Sequence, residues 1–373
     1  MRPPAERLSS RLSAARIGTT VAGVDAILVT SPVNLRYLTG VAASAGMALV
    51  TAESVIVVAD HRYAQQFDDA TAELHRVSVA PVPVGGSYES VAAGLMAAHA
   101  VRRVGVEAGH MTLARLGALR RLPLASAAEF VETHGFIEQF RAVKDPWELG
   151  RLREAGARLM EVVACILPEV SAGRSEREVS WGVELALHAA GFERPAFDTI
   201  VASGPNGARP HHRAGSRRIE TGELVVVDFG GVLDGYAVDM TRTVAVGRVN
   251  EEQRGWVQAV AAAQRAAIAA AGPGVMPSTV DAAARQSLAE QHLAEAFVHG
   301  TGHGLGLEVH ERPTIGPRGD IDGPLLEGMV FTVEPGVYLP GRGGVRIEDD
   351  VVVTASGVER LTGAPSGSEA HEL

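Results

Sequence analysis

A chain of 373 residues is long enough for two or three domains, and 46% hydrophobic with 21% charged residues is ordinary material for a buried core. Its formal charge, 34 basic against 44 acidic side chains for −10, and the lack of any basic run argue against nucleic-acid binding. No stretch approaches the ~20 uninterrupted apolar residues that cross a membrane, "MRPPAERLSSRLSAARIG" lacks a signal-peptide core, and the only cysteine, Cys165, permits no intrachain disulfide; these features predict a soluble cytoplasmic protein.

In chain order, "VDAILVT" (24–30), "MALVTAESVIVVAD" (47–60) and "RRVGVEAG" (102–109) read as strands, with helical patterns over 62–74 and 88–101. This alternation predicts an α/β layered domain over residues 1–140 with its own core. At the boundary, "KDPWELGRLREAGARLMEVVACIL" predicts a long helix. Asp145 is its N-cap, Pro146 its first residue, and Glu148 completes a capping box. Cys165 in this helix reads as core packing.

The second domain, 141–373, opens with helices over 146–167 and 175–190 and strands over 199–203 and 223–246. Helices over 251–271 and 277–290 follow, then a strand-rich stretch from 296 to 354. The order helices–strands–helices–strands suggests two similar halves. The alanine-rich "VQAVAAAQRAAIAAAG" reads as a helix ending at Gly272, and only the tail "TGAPSGSEAHEL" reads as loose.

Two hairpins carry acidic residues where apolar ones are expected. In "VVVDFGGVLDGYAVDMTRTVAV", residues 225–246, Asp228 and Asp239 sit inside apparently buried strands, where an unpartnered carboxylate is expensive. A turn at Leu233-Asp234 places them directly opposite, and a turn at Asp234-Gly235 places them diagonally. Either register puts both on one face, about 5–8 Å apart. In "MVFTVEPGVYLPGRGGVRIEDDVVVT", two strands flank a Gly/Pro-rich turn, with Glu334 and Glu348 at near-symmetric positions. The preceding "VHGTGHGLGLEVHE" presents His303 and His310 among glycines that permit close backbone approach. Arg242 and Arg346 offer competing partners for single carboxylates, and His303 alone fits a buried hydrogen-bonded histidine. A bound cation explains all of these residues together.

These segments, with "PVNLRYLTGV" and "FIEQFRAVKDPWELGRLREA" nearer the N-terminus, closely resemble in order and spacing the motifs of the M24 metallopeptidases. Within that family they look most like the aminopeptidase P and Xaa-Pro dipeptidase (prolidase) branch, over nearly the whole chain. The resemblance implies an α+β fold: a pita-bread catalytic domain preceded by a smaller α/β creatinase-like N-terminal domain. It implies two divalent metal ions held by Asp228, Asp239, His303, Glu334 and Glu348, with Asp239 and Glu348 bridging. Carboxylate oxygens, one imidazole and no thiolate favour Mn²⁺, with Co²⁺ or Zn²⁺ as alternatives.

By the same resemblance His211, in "SGPNGARPHHRAG", matches a histidine facing the metals better than His212 does, and His310 matches a second substrate-facing histidine. Glu334 would take the proton of the attacking water, and Arg346 is divided between pairing with a site carboxylate and catalysis. The implied substrate is a small peptide with proline at the second position, cleaved before the proline. Thr314 stands where some prolidases carry an arginine, so Xaa-Pro dipeptides and longer Xaa-Pro peptides both stay open. Other readings are a creatinase-like or other non-Xaa-Pro amidase, a methionine aminopeptidase, and a catalytically silent peptide-binding module. A homodimer or higher homo-oligomer is expected from the family.

Overall fold

The computed structural model describes residues 1–363 and divides the chain into two compact units, Met1–Arg141 and the remainder from Ala142. The tail expected to be loose lies, from residue 364 on, outside the described residues.

In the first unit, helix α1 (Ala5–Val21) leads into β1 (Ala26–Val29), α2 (Pro32–Thr39) and the hairpin β2 (Met47–Thr51) and β3 (Val55–Ala59). There follow α3 (Ala64–Thr71), β4 (Val77–Pro81), α4 (Tyr88–Ala98), β5 (Arg103–Glu107), α5 (Leu113–Arg121), β6 (Glu129–Thr133) and α6 (Glu138–Ala142). The six strands form one sheet in the order β4-β3-β2-β1-β5-β6, antiparallel across β1-β2 and β2-β3 and parallel elsewhere. At the centre every residue of β1, "AILV", is buried, as expected of a strand covered on both faces. Gly105 on β5 keeps it close to β1, because a Cβ there would collide with the Ile27 side chain. Buried Glu107 closes the strand by accepting hydrogen bonds from Thr30 N (2.5 Å), Ser31 N (2.8 Å) and Asn34 Nδ2 (2.7 Å). That gives the asparagine of "PVNLRYLTG" a structural use.

The second unit starts with α7 (Pro146–Ile166), and its start follows from the sequence: Asp145 Oδ1 accepts from Trp147 N and Glu148 N, and Glu148 Oε2 accepts from Asp145 N. Helix α8 (Glu176–Ala189), the short β7 (Arg194–Pro195), β8 (Ile200–Ser203) and the long hairpin β9 (Glu223–Leu233) and β10 (Tyr236–Val246) complete the first half. Helices α9 (Glu251–Ala270) and α10 (Pro277–Ala289) open the second half. Its strands are β11 (Gly302–Gly304), β12 (Glu311–Ile315), β13 (Val330–Val333), β14 (Gly336–Leu339), β15 (Gly343–Arg346), β16 (Asp349–Thr354) and β17 (Gly357–Arg360).

One sheet runs β10-β9-β7 with β8 also on β9, the other β12-β11-β13-β16-β17, and β14 and β15 form a separate ribbon. Leu152, Leu159, Val163, Val179, Val183 and Leu187 of α7 and α8 share a core with Val225, Val227 and Phe229 of β9. Val260, Ala263, Ala267, Val280, Ala284 and Leu288 of α9 and α10 pack with Phe331, Val351 and Val353 of the second sheet. Each half is thus a helix pair laid on an antiparallel sheet, the pita-bread arrangement.

Two expectations need correction. Helix α9 ends at Ala270, with Ala271 extended (ψ 141°), rather than at a glycine cap on Gly272. Pro273 lies two residues beyond Ala271 and stops any continuation. Cys165 is exposed, not packed in the core. The buried stripe of α7 runs through Leu152, Ala155, Leu159, Val162, Val163 and Ile166, and Cys165 falls off it.

Candidate active site

The β9–β10 hairpin turns at Asp234-Gly235. Both residues have positive φ (51° and 85°), as a two-residue turn between twisted strands requires. This register pairs Asp228 with Thr241 and Asp239 with Gly230, so the two aspartates are diagonal neighbours on one face. Gly230 leaves room for Asp239, since a Cβ there would lie 2.9 Å from the Asp239 Cβ.

The second acidic segment is a hairpin interrupted at its glutamates. Val333 pairs with Asp349 and Gly336 with Arg346, which leaves Glu334 and Glu348 facing each other in the gap between two ladders. Neither donates its backbone N–H across the hairpin. Glu334 N bonds Thr301 O (2.8 Å), and Glu348 N bonds Thr241 O (3.1 Å).

Asp228, Asp239, Glu334 and Glu348 converge with His303 in the wall of one cavity of about 750 Å³, also lined by His211, His212, His310, Thr314 and Arg346. The ligand-capable atoms of Asp239, His303 and Glu348 lie within 4.8 Å of one another. His303 Nδ1 donates to Gly304 O (3.1 Å), and its Nε2 faces Asp239 Oδ2 (3.8 Å) and Glu334 Oε1 (3.6 Å). Those separations exceed a hydrogen bond, and the buried Asp239 Oδ1 has no hydrogen-bond partner among the described residues. Burial raises the Asp239 carboxyl above its ordinary range, lifts Glu348 well above it, and pushes Glu334 up to about 7. One imidazole nitrogen and several carboxylates turned toward each other, rich in oxygen, are a donor set suited to hard divalent cations. The residues present fit such ions.

Arg346, almost fully buried, is the permanent cation built into this cluster. It donates from Nη2 to Asp228 Oδ2 (2.5 Å), from Nη1 to Tyr338 Oη (2.8 Å), and from Nε to Thr241 Oγ1 (3.1 Å). Thr241 in turn donates to Glu348 Oε2 (2.7 Å), and Tyr338 donates to His299 Nε2 (2.7 Å). Of the site carboxylates, Asp228 is therefore the direct partner of Arg346, and Glu348 is reached only through Thr241. Arg242 is drawn away from the site to Asp349 (2.6 Å), which Gln264 also holds (3.0 Å). His299 has both nitrogens occupied, because Nδ1 donates to Gly300 O (2.7 Å), and burial lowers its pKa to about 4.

His310 packs edge-on against His303, ring centroids 4.2 Å apart. Burial, with His303 and His211 beside it, lowers its pKa, so it is neutral at pH 7. Both His211 and His212 line the cavity, but His212 is also held by Glu176 (2.8 Å), which separates the roles of the adjacent pair. Sequence reasoning missed Tyr338, His299 and Glu176. Tyr338 and His299 stand inside the motifs that carry the ligands, four residues from Glu334 and His303 respectively. His299 lines the cavity, and Tyr338 joins it through its hydrogen bonds with Arg346 and His299.

Residues 150–355 match the family model described as metallopeptidase family M24, and residues 11–143 match the creatinase/prolidase N-terminal domain. A protein of Pyrococcus horikoshii named Xaa-Pro dipeptidase is 35% identical over 341 residues, 91% of this chain and 93% of its own. Among solved structures, an Xaa-Pro dipeptidase from Bacillus anthracis superposes with a TM-score of 0.90 at 34% identity, covering 97% of this chain and 98% of that one. An X-Pro aminopeptidase from Thermotoga maritima gives a TM-score of 0.83 at 32% identity, with 94% and 98% covered.

Proposed function

The chain belongs to metallopeptidase family M24, and from that premise we propose that it hydrolyses the peptide bond before proline, in Xaa-Pro dipeptides or at the N-terminus of longer Xaa-Pro peptides. The observation that carries the proposal is the convergence of Asp228, Asp239, His303, Glu334 and Glu348 on one cavity, in a chain like the Xaa-Pro dipeptidases. These five would hold two divalent ions, Mn²⁺ by the hardness of the donors, with Co²⁺ or Zn²⁺ as alternatives. When bound, such ions supply Lewis acidity to a scissile carbonyl and acidify water.

The chain's own residues do the rest. Glu334, a carboxyl that burial has already made a better proton acceptor, takes the proton of the attacking water and returns it to the departing nitrogen of proline. His211 and the neutral His310 offer hydrogen bonds to the oxygen that gains charge in the tetrahedral intermediate. Arg346 fixes the Asp228 carboxylate from behind. Proline's lack of an amide hydrogen is no obstacle here, because nothing in this chemistry draws on that hydrogen.

Peptide length is the open part of the proposal. Thr314 lines the cavity, and Arg312 is turned to Asp322 (3.1 Å). Arg177 and Arg213 also line the cavity, but with Thr314 in place of the arginine that some prolidases carry there, substrates continuing past proline are the favoured class. A homo-oligomer and a reducing, cytoplasmic setting belong to the same reading, on the family resemblance and the single cysteine.

The experiment is hydrolysis of Ala-Pro and Ala-Pro-Ala by chelated protein with and without added Mn²⁺. Turnover restored by metal, faster on the tripeptide, is the expected result. Metal-restored protein that cleaves neither would end the proline assignment.

A further inference from the structure

Glu176 is the first residue of α8 and is completely buried, yet the capping box of that helix is closed by Ser175 and Glu178. Its carboxylate serves a different segment. Oε1 accepts from Ser203 N (2.9 Å), Ser203 Oγ (2.8 Å) and Asn206 Nδ2 (2.8 Å). Oε2 accepts from Gly215 N (3.1 Å) and lies 2.8 Å from His212 Nε2. Backbone bonds add to this attachment: Arg177 N to Gly215 O and Glu176 N to Arg217 O, each 3.0 Å. Burial by itself would raise the carboxyl's pKa, but the hydrogen bonds from Asn206, Ser203 and His212 outweigh it and hold the group below its ordinary value. It is therefore a buried carboxylate whose side-chain hydrogen bonds all come from donors of one loop.

That loop, residues 203–215, has only one short 3-10 turn (Gly204–Ala208) and carries His211. Both of its ends and its middle meet on Glu176. His212 is held by the carboxylate, and its chain neighbour His211, also on the cavity wall, has no such tie to Glu176. The second half of the unit has a counterpart. Asp281 on α10, also buried, accepts from Thr301 N (3.1 Å) and Thr301 Oγ1 (2.9 Å) and pairs with Arg285 (2.7 Å). Arg285 in turn binds the carbonyls of Phe297 and His299. Each helix pair thus presents one buried acid that fastens the segment leading into the site.

We propose that Glu176 is a positioning residue, the peg that fixes the 203–215 loop and so sets the reach of His211 toward the substrate. The proposal rests on the reading of the cavity as a peptidase centre faced by His211. A carboxylate suits the task because every one of its partners donates. A glutamine would turn an N–H₂ group toward some of those donors and lose part of the set.

Hydrogen exchange, Mn²⁺ titration and Ala-Pro-Ala kinetics on Glu176→Gln, His211→Ala and the double variant test the idea. Glu176→Gln should speed amide exchange in 203–215 by about 10-fold or more, leaving the β9–β10 hairpin protected. Mn²⁺ affinity should hold, since no metal ligand lies in the loop. The kcat should fall ~10–100-fold with KM nearly constant, and in the His211→Ala background the same change should cost less than ~3-fold. Equal losses in both backgrounds, or unchanged exchange in the loop, would overturn the proposal. If Glu176→Gln fails to fold, Asn206→Ala removes a single donor and must still speed exchange in 203–215; no change there overturns the proposal as well. Wild-type protein inert on Xaa-Pro peptides would sink the peptidase reading alone, and the exchange measurement would still decide the peg.

Discussion

Glu334 and Glu348 face each other across a break in a hairpin that is otherwise in one continuous register, with Val333 opposite Asp349 on one side and Gly336 opposite Arg346 on the other. The break is the structural basis of the site. Pro335 has no N–H to give, and the two glutamate N–H groups are taken by Thr301 and Thr241. The strand pair therefore opens at the point where two carboxylates must turn inward. The bond from Glu348 N to Thr241 O also ties this hairpin to β10, which brings Asp239 within reach of Glu348.

Carboxylates gathered this way make the chelated protein sensitive to pH. Glu334 has a folded-state pKa of about 7 against an ordinary 4.5, with burial the main cause. The stability such a group contributes is full below about 4.5 and is lost as pH rises through about 7. Asp239, Glu348 and Asp350 are shifted in the same direction by burial. His299, lowered to about 4, and His310, also lowered, work in the opposite sense below pH 6.5, two groups against four. The Tm of chelated protein should therefore fall between pH 5 and pH 8. Saturating Mn²⁺ should restore on the order of 10 °C at pH 8 and less at pH 5. A chelated Tm that is flat or rising over this range, read by calorimetry, would mean these carboxylates are not held as described.

Arg346 holds Asp228, Tyr338 and Thr241 at once through a planar fork. Lysine keeps the charge but presents it as a single point and cannot satisfy the three acceptors together. Arg346→Lys should lower kcat/KM by about 10–100-fold and weaken Mn²⁺ binding, because Asp228 loses its orienting partner. Tyr338→Phe removes one hydroxyl and leaves the Asp228 bond in place, so it should lose less. Steady-state kinetics with metal titration separates them; a lysine variant indistinguishable from wild type would reduce Arg346 to a counter-charge.

What could be read from the sequence was whatever violated its local pattern. Asp228 and Asp239 were legible because a carboxylate inside an apolar strand demands a partner, and Asp234-Gly235 because few pairs tolerate a tight turn with two positive φ values. Asp145, Pro146 and Glu148 announced α7 by capping chemistry. Glu176 was hidden for the converse reason: an acid in the first turn of a helix is the ordinary pattern, and nothing local says that its side chain turns inward. The edge strands β4, "VSVAP", and β6, "EFVET", went unread because they are only half buried and lack a clear apolar run. The break between β13–β16 and β14–β15 depends on acceptors in Thr241 and Thr301, far away in the chain, which no window of sequence contains.

Glycines of this fold fall into two kinds, and one substitution of each kind tests the packing around the site. Gly302 precedes His303 on β11, and a Cβ there would collide with the carbonyl oxygen of Thr332 and lie 2.7 Å from its carbonyl carbon. Both are backbone atoms of β13 and cannot swing aside. His303 N also donates to Thr332 Oγ1 (3.1 Å), so a displaced strand carries the imidazole with it. Gly302→Ala should cost roughly 1–3 kcal/mol and weaken Mn²⁺ binding at least 10-fold, since a ligand moved by even part of an ångström no longer meets Asp239 and Glu348 together. Gly255 is exposed within α9, and a methyl group added there would meet no other side chain within 4 Å. Its replacement by alanine should leave metal binding alone and stabilise by about 0.5–1 kcal/mol through helix propensity. Urea unfolding and Mn²⁺ titration on the two variants make the comparison. If Gly302→Ala kept wild-type stability and metal affinity, β11 would be free to shift without disturbing His303, and the close approach of its backbone to β13 would have no part in forming the site.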